Sequence, residues 1–103
     1  MNQRELFDLV SFRTSRLTAM KYSTSFSLGI RCLDKSYRDP IYAIYGFVRF
    51  ADEIVDTLHE YPKKELLERF TADTWRALDE KISLNPILHS FQITVNQFGI
   101  ERS

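Results

Sequence analysis

Apolar residues recur along this chain at helical rather than strand spacing. From about Gln3 to Lys21, Leu6, Val10 and Leu17 repeat among charged residues, which predicts an amphipathic first helix. The stretch "YSTSFSLGIRCL", residues 22–33, interrupts it with hydroxyl side chains that favour a helix break and a new start. Next comes "RDPIYAIYGFVRFADEIVDT". Asp39 can cap a helix there and Pro40 fits its first position, so a helix is expected from Pro40 to about Thr57. Its apolar residues surround the axis, so burial on most sides is expected. "YPKKELLERFTADTWRALDEKI" predicts an amphipathic helix starting at Pro62, with Leu66, Leu67, Phe70, Thr74 and Leu78 on one face. "NPILHSFQITVNQFG" predicts a last helix capped by Asn85, with Pro86 first, Gly99 as the stop, and Leu88, Phe91, Val95 and Phe98 as its core stripe. No segment alternates convincingly as a strand would. The fold class read from the pattern is all-α.

Composition narrows the class. With 44% hydrophobic and 14% aromatic residues the chain can build a core, which excludes a disordered segment. Fourteen basic residues balance fourteen acidic ones, so a nucleic-acid binder, which needs a basic excess, is disfavoured. The single cysteine, Cys32, cannot form an internal disulfide and is read as a small core residue of a cytoplasmic protein. Arg4, Glu5 and Asp8 stand where a signal peptide would be apolar. The longest apolar run, "IYAIYGFV", is too short for a bilayer span of roughly 20 residues. Contact with a membrane is therefore at most peripheral.

The chemistry concentrates in "FVRFADEIVD", residues 47–56. At about 100° per residue, Arg49 lies about +40°, Asp52 about −20° and Asp56 about +20° from Tyr45. These four share one stripe of an otherwise apolar helix. Glu53, about 80° from Tyr45, need not share it. Two carboxylates one turn apart suit Mg²⁺, which is held by one or two carboxylates plus phosphate oxygens. The plain alternative is an ordinary acidic helix end in which Arg49 pairs with Asp52 or Glu53. His59 and His89 are isolated from other ligand-type residues and receive no role.

In these residues the chain resembles the squalene/phytoene synthase family. The carriers are Ser23-x-Ser25-Phe26, the Ala43-x-Tyr45 helix, Arg49 three residues ahead of the acids, and "DEIVD" itself. "NPILHSFQITVNQFGIE" also resembles the segment before the family's next helices. The resemblance implies an isoprenoid-synthase-type helical bundle that joins two prenyl diphosphates head to head. Asp52 and Asp56 match the first aspartate-rich motif, which binds Mg²⁺ (Mn²⁺ as an alternative) bridged to substrate diphosphate, with Glu53 as a further candidate. Arg49 matches a diphosphate-contacting arginine and Tyr45 an active-site tyrosine. Ser23, Ser25 and Phe26 match a flap whose hydroxyls reach diphosphate and whose ring meets the prenyl chain.

The family's second aspartate-rich motif has no counterpart among the 103 residues, since no second D-x-x-x-D recurs. The expectation is an incomplete bundle, with 1–103 the N-terminal part of a synthase domain that would not catalyse the full reaction alone. Surface left for absent helices could self-associate. The product expected of the parent is phytoene, as in bacterial carotenoid synthesis. Squalene or dehydrosqualene synthesis is the near alternative, with NADPH needed only for squalene. A second reading is a non-catalytic helical protein that binds a prenyl diphosphate or a partner synthase.

Overall fold

The computed structural model describes residues 1–100 as five helices. These are α1 (Gln3–Tyr22), α2 (Thr24–Ile30), α3 (Lys35–Asp56), α4 (Lys63–Glu80) and α5 (Pro86–Phe98). Among the described residues there is no strand, so the all-α expectation holds. Glu101, the end of the last motif segment quoted above, lies outside them.

Local chemistry sets most helix ends. Asn2 caps α1 by accepting the Glu5 N–H at 2.8 Å. Ser23 ends α1 and caps α2, its Oγ accepting the Phe26 N–H at 3.2 Å. Asn85 Oδ1 accepts from the amides of Ile87 and Leu88, Pro86 opens α5, and Gly99 closes it at φ 63°. α4 begins just after Pro62 rather than on it. It closes on Lys81, which takes the left-handed conformation at φ 60° without being glycine.

The start of α3 differs from expectation. The cap is Asp34, not Asp39, and Pro40 sits inside the helix. Asp34 Oδ1 accepts both the Ser36 N–H at 3.0 Å and the Ser36 hydroxyl at 2.8 Å. Those bonds hold its carboxyl below the ordinary value. Arg38 braces the turn from the other side, donating to the carbonyls of Leu33 and Arg31 at 3.0 Å each. Pro40 lacks an N–H and crowds the carbonyl four residues back, so it withholds one bond early in the helix. The double cap and the arginine brace offset that loss.

α1, α3 and α5 pack against one another, α2 folds onto α1, and α4 lies against α3 and α5. The α1 face turned inward is not its apolar stripe. Ser11, Ser15, Thr18 and Ala19 are buried, while Leu6, Val10 and Leu17 are exposed. Small side chains let the helices approach closely, and the hydroxyls are satisfied. Ser11 donates to the Phe7 carbonyl at 2.9 Å, Thr18 donates to the Thr14 carbonyl at 3.0 Å, and the Ser15 and Ser90 hydroxyls bond at 2.7 Å. Gly46 of α3 sits over this seam, where an added Cβ would stand 3.1 Å from Ser15 Oγ and 3.2 Å from Ile87 Cδ1.

Other core assignments shift too. α5 is enclosed on several sides, burying Ile87, Leu88, His89, Ser90, Gln92, Thr94 and Val95, whereas Phe98 is half exposed. Phe91 stacks on Phe47 at 3.9 Å, and Phe47 on Phe70 at 5.4 Å. α4 buries Thr74, Ala77 and Leu78 but leaves Leu67 exposed. α3 is less enclosed than expected, with Val48 and Val55 half exposed. Cys32 is exposed rather than core, because it falls on the turn after the short α2.

His89 is fully buried and ties three segments together. Its Nδ1 accepts the backbone N–H of Ser83 at 3.3 Å, and a backbone amide can only donate. Nε2 therefore carries the proton and donates to Asp8 Oδ1 at 2.6 Å. Arg4 Nε donates to the same oxygen at 3.0 Å. Burial pushes the Asp8 carboxyl up, but the bonds from His89 and Arg4 outweigh it and hold it below the ordinary value.

Candidate functional site

The acidic helix end and its neighbours form one surface. α2 turns back on α1 at the Ser23 cap and lays the Phe26 ring on Tyr45, with centroids 4.8 Å apart. α1 ends at Tyr22, whose ring lies under the Arg49 guanidinium at 4.9 Å. Tyr45, Arg49 and the flap aromatic thus meet at the junction of α1, α2 and α3. Ser25 is exposed on the first turn of α2. Ser23 Oγ accepts the Phe26 N–H in its cap, which leaves its own O–H to donate.

Glu53 joins this group directly. Arg49 Nη2 donates to Glu53 Oε2 at 2.8 Å, with each side chain about a quarter exposed (24% and 23%). Arg49 and Glu53 differ by only about 40° around the helix, so an i,i+4 pair closes easily. The bond from Arg49 holds the Glu53 carboxyl below its ordinary value against partial burial, with help from the hydroxyls of Thr57 and Tyr22. The same bond raises Arg49, with the negative charge of Asp52 adding to it. Arg49 Nε is buried and has no partner among the described residues.

Asp52 and Asp56 are exposed. Neither has a hydrogen bond or ion pair among the described residues. Nowhere among those residues do three ligand-type side chains gather into a metal cluster. The pair offers hard oxygen donors from one helix, which fits a cation completing its shell with water and phosphate oxygens. Glu53, engaged by Arg49, is less free to join them. Beside Glu53 opens a pocket of about 250 Å³, walled by Tyr22, Phe50, Ile54, Leu58 and Phe70. Tyr22 was not singled out from sequence. Its place immediately before Ser23 in the flap motif is the signal that could have found it.

Fold and site together define an all-helical protein with a carboxylate–arginine face beside an apolar pocket. The squalene/phytoene synthase profile matches residues 19–103, and the chain belongs to that family. The family comprises head-to-head prenyl transferases, which bind prenyl diphosphates and generally depend on divalent metal. No curated protein and no solved structure matches the chain. No helix among the described residues is long and apolar enough to cross a membrane.

Proposed function

We propose that this chain is the N-terminal portion of a prenyl transferase that joins two geranylgeranyl diphosphates head to head to form phytoene. In this reading Asp52 and Asp56 hold Mg²⁺ and Arg49 binds diphosphate. Tyr45 and Phe26 wall the prenyl end of the site, and Ser23 and Ser25 reach the diphosphate from the flap. The bound cation would supply charge that stabilises a departing diphosphate.

The chain's own residues do the rest. Arg49 is held in place by Glu53 and Tyr22, so its guanidinium is oriented before an anion arrives. Its side chain is about a quarter exposed, and its guanidinium has N–H donors beyond the one given to Glu53 to offer that anion. The stacked rings of Phe26 and Tyr45 offer aromatic faces to a developing allylic cation and help exclude water. The observation that carries the proposal is the presence, on one helix face, of two uncommitted carboxylates next to a preorganised arginine, within a chain matched by this family.

Titration calorimetry with geranylgeranyl diphosphate, with and without Mg²⁺, tests it. Wild type should bind more tightly with Mg²⁺. Asp52→Asn and Asp56→Asn should each abolish that gain while leaving the helical circular-dichroism signal intact. Affinity unchanged by both substitutions would sink the metal-site assignment. Product analysis of a complete synthase carrying these residues then distinguishes phytoene from squalene or dehydrosqualene.

A further inference from the structure

The two aspartates of the candidate site stand at the unfavourable end of their helix. α3 closes with Asp52, Glu53 and Asp56 among its last five residues and has no base in its last turn. A helix C-terminus carries partial negative charge on its unbonded carbonyls, so acids there weaken the last turn and a cation strengthens it. Arg49 answers the charge of Glu53. Asp56, the final residue of α3, has no ion-pair partner among the described residues.

The cation at this helix end comes from the next helix. Lys63 opens α4, and its ammonium donates to the Val55 carbonyl at 2.5 Å and to His59 Nδ1 at 2.6 Å. An ammonium can only donate, so His59 accepts through Nδ1 and carries its ring proton on Nε2. Nothing in α4 accounts for this lysine. A cation is unfavourable at a helix N-terminus, and Pro62 gives α4 no side-chain cap. Its stabilising contact is with α3. The Thr57 and Leu58 amides both bond to the Glu53 carbonyl, at 3.0 and 3.3 Å, and close the turn that Lys63 braces. The clamp lies wholly within the α3–α4 connection, so it holds whatever packs on the outer faces of the bundle.

We propose that Lys63 is a positioning residue for the metal pair. By capping the Val55 carbonyl it keeps the last turn of α3 wound. Asp56 then stays one turn from Asp52, where both carboxylates can address one cation. His59 holds the ammonium over the carbonyl. If the turn unwound, Asp56 would leave the stripe and Asp52 would stand alone. The proposal rests on the reading of Asp52 and Asp56 as Mg²⁺ ligands.

The test is calorimetry of the full chain with geranylgeranyl diphosphate, with and without Mg²⁺. The quantity read is the gain in affinity that Mg²⁺ confers. Charge and positioning predict opposite signs for Lys63→Met. Removing a positive charge near a cation site should by itself raise the gain. Loss of the clamp should instead cut it about tenfold, with the metal-free affinity and the helical circular-dichroism signal little changed. In metal-free protein the Thr57 and Leu58 amides should exchange about fivefold faster, read by NMR. Lys63→Arg keeps a cationic donor and should hold the gain to within about threefold of wild type. Lys64→Met removes the same charge one residue along, from an exposed side chain, and should leave the gain equal or larger. A gain that Lys63→Met keeps or raises would overturn the positioning role and leave the aspartate pair standing. So would an equal loss in Lys64→Met, or a Lys63→Arg variant as impaired as Lys63→Met. A wild type with no Mg²⁺ gain at all would overturn the aspartate reading and this proposal with it.

Discussion

Replacing Gly46 with alanine tests how the helices come to pack so closely. In an open helix the change should stabilise by about 1 kcal/mol, because glycine has more backbone freedom to lose. At Gly46 the new methyl would meet Ser15 Oγ at 3.1 Å, Ile87 Cδ1 at 3.2 Å and Ser15 Cβ at 3.3 Å. Neither neighbour can retreat easily. Ser15 is fully buried and bonded to Ser90 at 2.7 Å, and Ile87 is 1% exposed. Overpacking of this kind costs about 1–3 kcal/mol. The expected net is a loss of about 1 kcal/mol, or a fall in Tm of about 4–8 °C for a domain of this size. Gly29→Ala is the internal control: its Cβ would meet nothing within 4 Å, so Tm should hold or rise. Thermal unfolding followed by circular dichroism reads both. Coupling adds a second check. Ile87→Val trims the crowding atom, so it should cost less in the Gly46→Ala background than in wild type. A Gly46→Ala melt at or above wild type would refute the reasoning, because the seam would then have room for a methyl.

Two further outcomes follow from the charge network. The folded Asp8 carboxyl is held below its ordinary value of 3.8. Its stabilising contribution is therefore fully present above that value and is lost as pH falls through the lowered folded value. Acid melts of Asp8→Asn should show a shallower loss of stability between neutral pH and pH about 3 than wild type, and parallel curves would refute the role of the His89–Asp8 contact. Arg49→Ala should weaken diphosphate binding, read by calorimetry, with little change in Tm, since its pair with Glu53 is partly exposed. A collapsed melt would instead make Arg49 a structural residue.

The sequence alone determined the helical class and most helix ends, because these rest on local chemistry. Asn85, Pro86 and Gly99 read correctly, since caps and stops act within one turn of the chain. The stripe of Tyr45, Arg49, Asp52 and Asp56 was legible for the same reason: helical geometry alone puts them together. Pro40 misled because its preference for a first position was outweighed by the Asp34 cap and the Arg38 brace.

Tertiary structure decided which faces are buried. The apolar repeat of α1 pointed to Leu6, Val10 and Leu17, yet the buried face is Ser11, Ser15, Thr18 and Ala19. Close approach of α3 and α5 favours small, hydrogen-bonded side chains, and no periodicity within α1 reports what its neighbours need. The burial of His89 and its bond to Asp8, 81 positions away in sequence, were equally invisible. So was the convergence of Tyr22 and Phe26 on Arg49 and Tyr45, which exists only because α1 packs on α3 and α2 folds back onto α1. Local rules wrote the helices, and contacts between distant segments chose their faces.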